Sequence, residues 1–329
     1  MHFLLLLLLL ACGSPRGPES TLTVFNAGSL ARPLKAVLDT FARREGVTIA
    51  QESAGSLESA RKLTELGKIP DVIALADAEV FPRYLMPAFV DQYTLFARNR
   101  MVVAYTARSK YAEEITSARW TEILTRRDVE VGRSDPELDP NGYRTVMVWQ
   151  LAERASGQAG LAQRLAAQAP NRNVRPKEAD LVGLLQAGEF DYIWSYESLA
   201  QATDLQYVLL GDSVDLSSAA YAAFYATASV SVRGATQGSR VEFTGEPIVY
   251  GFAVPRNAPN AALGQRFATF LVSEEGKAIL RREGLDALDL PRVETGRAST
   301  GMLAARKRLG VAEFAVLPQP LLQHSITRR

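Results

Sequence analysis

Two periodicities alternate along this chain. Thr21-Leu22-Thr23-Val24-Phe25 alternates polar and apolar positions, as a buried strand does, and then Leu30, Leu34, Val37, Leu38 and Phe41 recur at helical spacing. The same couplet follows at once: a strand-like run from Val47 to Ala50, then Leu57, Ala60, Leu63 and Leu66 on one helix face, closed by Gly67. The unbroken apolar runs Val72 to Ala76 and Met101-Val102-Val103-Ala104-Tyr105 predict strands covered on both faces. Further on, the pattern predicts a helix around Trp120, a helix beginning at Tyr143, and a helix through Leu181, Leu184 and Leu185 that stops at Gly188. It then predicts an aromatic strand Phe190 to Tyr196 and strands at Gln206 to Leu210 and Ile248 to Pro255. A helix carrying Leu263, Phe267, Phe270 and Leu271 follows. The small-residue region Ser213 to Thr244 receives no assignment. Strands alternating with helices over this length predict an α/β fold in two lobes, each with a central, mostly parallel sheet flanked by helices. The first lobe is expected over 21–100 plus about 256–292 and the second over 101–255, with a peripheral helix and tail over 293–329.

Chemistry is predicted at the joints between these elements. Asn26-Ala27-Gly28-Ser29-Leu30 and Ala54-Gly55-Ser56 each carry a strand into a helix, which places Ser29 as a helix N-cap and frees backbone N–H groups at a positive helix end. A single such turn is ordinarily only a cap. Two, one βαβ step apart, fall on the same carboxyl edge of a parallel sheet, where open α/β sheets bind ligands. Arg133-Ser134-Asp135-Pro136-Glu137-Leu138-Asp139-Pro140-Asn141-Gly142-Tyr143-Arg144 turns the chain into another helix tip. Asp139 there reads as a cap, as a ligand contact, or with Asp135 as a metal-binding or acid–base pair. Asp77 reads as a cap of the segment after its strand. The amides around Lys177-Glu178 offer a further anion contact, and the phenol of Tyr196 a donor at a strand end. Ser195 and Glu197 share a face at period two.

Composition narrows the chemistry. The 329 residues carry a net charge of +1, which gives no reason to invoke nucleic acid. Of the two histidines, His2 lies in the leader and His324 in the tail, and the single cysteine is Cys12. The body therefore has no His-dependent triad, His-rich metal centre or disulfide. No cofactor and no free metal ion are expected, and a binding protein is favoured over an enzyme. Leu4 to Leu10 is too short to span a bilayer as a permanent helix. It predicts a signal peptide over 1–11, cleaved before a lipidated Cys12 within Leu9-Leu10-Ala11-Cys12, with 12–20 as a tether to the membrane face.

Taken in order, the motifs above, with Arg175-Pro176-Lys177-Glu178, Asp191-Tyr192, Tyr196-Glu197-Ser198 and Gly245-Glu246-Pro247-Ile248, resemble the tungstate/molybdate-binding group of solute-binding proteins of ABC importers. The resemblance runs from Asn26 to about Leu285. It implies a type II-like periplasmic binding fold, with two lobes joined by two crossing strands and closing over one oxyanion. It implies ligand contacts at Gly28, Ser29, Gly55 and Ser56 from the first lobe and at Asp139, Asn141, Glu178, Tyr196 and Glu197 from the second. In the archaeal-type tungstate binders an Asp and a Glu reach the metal atom. Asp139 falls on the Asp position, and the Glu position falls on Ser195, with the Glu197 carboxylate on the same face. The partners implied are molybdate or tungstate, an ABC permease with its cytoplasmic ATPase, and the membrane through the lipid anchor; the protein is expected to be a monomer. Sulfate or another tetrahedral oxyanion is the alternative ligand. A carboxylate-based phosphate-ester hydrolase using Asp135, Asp139 and a divalent metal is the alternative class.

Overall fold

A computed structural model describes residues 20–295. Its strands form two main sheets and a hairpin. The first sheet holds six strands: β1 (Thr21–Ala27), β2 (Thr48–Ala54), β3 (Val72–Leu75), β4 (Gln92–Arg98), β12 (Val249–Ala253) and β13 (Asp286–Thr295), in the order β13-β4-β12-β3-β1-β2. The second holds five: β5 (Met101–Tyr105), β6 (Val131–Ser134), β7 (Val174–Arg175), β8 (Tyr192–Tyr196) and β9 (Gln206–Leu209), in the order β7-β6-β8-β5-β9. The hairpin pairs β10 (Ser229–Arg233) with β11 (Arg240–Thr244).

The sheets are mixed, not mostly parallel. β1, β2 and β3 run parallel, as do β6, β7 and β8, whereas β4, β12 and β13, and likewise β5 and β9, pair antiparallel. The reason lies in the crossings. The chain leaves the first sheet along β4 and enters the second along β5 with only Asn99 and Arg100 between them. It returns along β12, which lies in the interior of the first sheet. The first sheet therefore regains the chain at β12 (Val249–Ala253). Beyond the expected limit of the first lobe at 292, β13 continues as an edge strand to Thr295; the rest of the predicted tail, and the leader with Cys12, lie outside the described residues.

Helices cover both sheets: α1 (Ala31–Glu45), α2 (Ser56–Thr64), α3 (Trp120–Leu124), α4 (Pro140–Ser156), α5 (Leu161–Gln168), α6 (Ala179–Ala187), α7 (Glu197–Ala202), α8 (Ala222–Tyr225), α9 (Ala261–Leu271) and α10 (Glu274–Arg282). The predicted stripe of α1 is the buried one, with Leu34, Val37, Leu38 and Phe41 at most 1% exposed. Phe41 meets Phe267 of α9 edge-to-face at 5.3 Å, so the returning helix docks on the first lobe as its apolar spacing predicts. Among the described residues no helix is long and apolar enough to cross a membrane.

Candidate functional site

The carboxyl ends of β1 and β2 each deliver a Gly-Ser pair to the face of the second lobe. After β1 the chain makes a tight turn, Gly28–Leu30, before α1 begins. Ser29 is not the expected N-cap: its hydroxyl lies 3.0 Å from the Tyr250 phenol and caps no helix amide. That phenol accepts from the Asn99 amide at 2.8 Å, and between it and Ser29 Oγ either oxygen can donate. Where the phenol donates, the Ser29 proton is free for an acceptor in the cleft. After β2, Gly55 is the N-cap residue of α2 and Ser56 its first residue. Ser56 Oγ accepts from the Ala76 N–H at 3.0 Å, so this hydroxyl too has its proton to give. Both serines are buried.

From the second lobe comes a pair of carboxylates. Asp139 is the N-cap of α4, where Oδ1 accepts from Asn141 N at 3.1 Å, and Oδ2 accepts from Glu178 N at 2.8 Å. The capping and ligand readings of Asp139 are therefore compatible, because the cap holds the carboxylate at the lobe interface. Glu178, at the N-terminus of α6, accepts at Oε1 from the Ser195 hydroxyl at 2.7 Å and from Tyr196 N at 2.5 Å. Its Oε2 is buried with no hydrogen-bond partner. Burial raises the Asp139 carboxyl to about 6 despite the two backbone donors. Burial, and then the neighbouring charge of Asp139, raises Glu178 to about 8.

Behind the carboxylates lies Arg144. It donates to the Tyr196 phenol at 2.7 Å, reaches across to Ala76 O at 2.7 Å, and forms a 3.1 Å ion pair with Asp77. Asp77 also takes a hydrogen bond from Tyr143 and caps Glu79 N at 2.9 Å, as expected. Burial alone would weaken protonation of Arg144, but the Asp77 carboxylate together with the Tyr196 and Tyr143 phenols outweighs it and keeps the guanidinium charged. Because the Tyr196 oxygen accepts from Arg144, its O–H becomes a third free donor, after those of Ser29 and Ser56. The Tyr196 ring meets Tyr250 edge-to-face at 5.9 Å, which ties this donor to the first Gly-Ser tip.

Each tip lies beside the backbone neighbourhood of one carboxylate. A Cβ built on Gly28 would lie 3.7 Å from Lys177 Cδ and 3.7 Å from Ala179 Cβ, the neighbours of Glu178. One built on Gly55 would lie 2.2 Å from Leu138 O and 3.3 Å from Asp139 Cα.

Two expected contacts fall elsewhere. Glu197 points to the hinge, where it pairs with Arg100 at 3.0 Å and accepts from the Tyr207 phenol at 3.2 Å. The strand ends at Tyr196 and α7 starts at Glu197, so the two-residue alternation that put Glu197 beside Ser195 stops one residue too early. The acid near Ser195 is Glu178. The Asn141 side chain turns into its own lobe, accepting from Ser134 Oγ at 3.1 Å. Sequence reasoning also missed Arg144 as the buried cation and Tyr250 as the residue that orients Ser29. Asp135, the other half of the alternative acid pair, caps Glu137 N at 2.8 Å, and no group of three or more metal-ligating side chains occurs among the described residues.

The sequence matches the model of bacterial extracellular solute-binding proteins over residues 22–286. The chain belongs to that family. A solute-binding protein of Petrotoga mobilis is 43% identical over 271 residues, 82% of this chain and 84% of the relative. The molybdate/tungstate-binding protein of Pyrococcus abyssi is 38% identical over 298 residues, 82% of this chain and 85% of the relative. Solved structures share the two-lobed fold. The sulfate-binding protein of Mycobacterium tuberculosis superimposes with a TM-score of 0.58 at 13% identity, covering 82% of this chain and 88% of that one. The periplasmic molybdate-binding protein of Azotobacter vinelandii gives 0.56 at 15% identity, covering 80% and 98%. Membership of this family makes the protein an extracytoplasmic solute-binding protein.

Proposed function

We propose that this protein captures molybdate or tungstate outside the cytoplasm and delivers it to an ABC importer, and that it is a binding protein without catalytic activity. The observation that carries the ligand class is the composition of the cleft: three hydroxyls with protons to donate, from Ser29, Ser56 and Tyr196, beside a buried carboxylate oxygen of Glu178 that has no donor. Hydroxyl donors in a buried, low-dielectric cleft hold the oxygens of an anion strongly. Burial raises the Glu178 carboxyl to about 8, so the unliganded protein holds its proton; once ionised beside a bound anion it repels those oxygens, and a ligand that displaces the proton must also present an electrophilic atom. The metal atom of an oxometalate accepts a further oxygen ligand; the sulfur of sulfate does not. In this reading Ser29, Ser56 and Tyr196 hold the oxygens, with Gly28 and Gly55 letting the lobes approach, while Asp139 and Glu178 face the metal atom. The names of the relatives support the same ligands.

Lipidation at Cys12 would hold the protein at the membrane face, where a monomer closed on its anion is the form presented to the permease. Titration calorimetry of the mature protein against molybdate, tungstate, sulfate and phosphate tests the ligand. Tight binding of the two oxometalates and at least roughly a hundredfold weaker binding of sulfate, a gap of about 2.7 kcal/mol, is expected. Equal or tighter binding of sulfate overturns the assignment.

A further inference from the structure

The second Gly-Ser tip does something other than bind the anion. Its amides are already engaged: Leu57 N and Glu58 N, in the first turn of α2, both donate to the carbonyl oxygen of Leu138 in the second lobe, at 3.2 and 3.3 Å. One turn further along the same helix, Arg61 Nη1 donates to the carbonyl of Glu137 at 2.6 Å. Thus α2 reads two successive backbone carbonyls of the opposite lobe with its positive end and its first arginine. The carbonyl of Leu138 fits only because residue 55 has no side chain. A Cβ there would stand 2.2 Å from Leu138 O, 2.8 Å from Leu138 C and 3.3 Å from Asp139 Cα, all backbone atoms that no rotamer change can move.

The loop carrying that carbonyl is stiff. Leu138 N and Asp139 N both donate to Asp135 O, at 3.1 and 2.9 Å, and Asp135 N is held by Arg175 O at 2.8 Å. Pro136 and Pro140 restrict the backbone on either side. A side chain at 55 is therefore accommodated by separating the lobes more readily than by bending the loop. Within its own lobe it costs little, since residue 55 sits at φ −64° and ψ 150°, an extended conformation that any residue adopts.

We infer that docking of the Leu138 carbonyl on the N-terminus of α2 is the contact that holds the lobes closed, and that Gly55 is the positioning residue that admits it. Asp139 is the next residue after that carbonyl, so the same docking seats the carboxylate against the ligand, and affinity depends on a contact the anion never touches. This rests on reading the cleft as an anion site that closes on its ligand, but not on which anion fills it.

The test compares wild type with Gly55→Ala, using Gly183→Ala as a control because a Cβ at 183 meets nothing within 4 Å. Small-angle scattering and calorimetry are run with molybdate, tungstate and sulfate, and urea unfolding without anion. Wild type and the control should contract on adding the anion that binds. Gly55→Ala should keep the anion-free radius of gyration at the concentration that saturates wild type, with affinity lowered roughly tenfold or more and an unchanged urea midpoint. A variant that contracts and binds like wild type overturns the proposal, as does one whose urea midpoint falls in step with its affinity. Hydrogen exchange on the wild-type protein reads the same contact with no substitution: the Leu57 and Glu58 amides should gain protection when anion is added, and unchanged exchange there contradicts closure through this contact. Contraction driven by sulfate alone would overturn the ligand assignment and leave the role of Gly55 standing.

Discussion

The two Gly-Ser tips of the first lobe have nearly the same sequence and different work. Ala27-Gly28-Ser29 lies beside Lys177 and Ala179, which flank Glu178, with room for a Cβ at residue 28, and its serine is paired with the Tyr250 phenol. Ala54-Gly55-Ser56 is pressed against the Asp139 loop, its helix amides are consumed by a carbonyl, and its serine is aimed by a backbone N–H of its own lobe. In the proposed reading the first tip is a ligand contact with freedom to adjust and the second a ligand contact fused to a closure contact, so that the partner on the opposite lobe, rather than the motif, decides the work of each.

The sharpest way to break this comparison is to remove the carboxylate opposite the looser tip. Glu178→Gln keeps the shape and takes away the oxygen available to the metal atom. Molybdate and tungstate affinity should fall roughly hundredfold or more, by about 3 kcal/mol, while sulfate binding holds or improves. Calorimetry with all three anions reads the split, and a uniform loss would assign Glu178 a purely structural part. Next in size is Ser56→Ala, which removes an anion donor and also strands the buried Ala76 N–H. Affinity should drop by about 2 kcal/mol and the ligand-free protein should lose about 1 kcal/mol in urea unfolding. Ser29→Ala should weaken binding by about 1.5 kcal/mol with no loss of ligand-free stability, since it leaves only a tyrosine hydroxyl that Asn99 still contacts. Equal stability losses for the two serines would erase the distinction between the tips. Tyr250→Phe releases the orientation of Ser29 and removes one acceptor of the Asn99 amide, and calorimetry should show a loss of about 0.5–1 kcal/mol.

A further effect is expected on pH dependence. Glu178 and Asp139 have folded-state values raised to about 8 and about 6, first by burial. The folded protein therefore holds protons that the unfolded chain has already released. The stability this confers is complete below the ordinary carboxylate range and is lost as pH rises through about 8. Ligand-free protein should thus unfold more easily at pH 8 than at pH 5. Glu178→Gln should flatten the upper part of that slope, shifting the urea midpoint at pH 8 upward by roughly half a molar. An unchanged slope in the variant would show that Glu178 is ionised in the empty cleft.

How much of this was legible in the chain depended on range. Local signals carried β1, β2, β3, β5, β8, β9 and β12, the α1 stripe, both Gly-Ser joints and the Asp139 cap, because each is written within a few residues of itself. The hairpin went unassigned although Ser229-Val230-Ser231-Val232-Arg233 and Arg240-Val241-Glu242-Phe243-Thr244 alternate at period two, with Val232 and Phe243 the buried positions. Its small-residue surroundings hid it. What no local pattern could give is which acid stands beside Ser195. That depends on β6 lying between β7 and β8, which brings the start of α6 and the end of β8 to one sheet edge although 17 residues separate Glu178 from Ser195. For the same reason the partner that makes Gly55 necessary, a carbonyl in the other lobe, left no trace near residue 55.

The central claim is that two hydroxyl-bearing tips of one lobe and two carboxylates of the other enclose a single oxyanion. A crystal structure of the protein grown with tungstate, with anomalous data at the tungsten edge, tests it most directly. The account predicts one strong anomalous peak bounded by the hydroxyls of Ser29, Ser56 and Tyr196 and by the free carboxylate oxygen of Glu178, with the Leu138 carbonyl seated on α2. A peak elsewhere, such as at the hinge arginines Arg98 and Arg100, or a peak in the cleft with Glu178 turned away from it, would contradict the account.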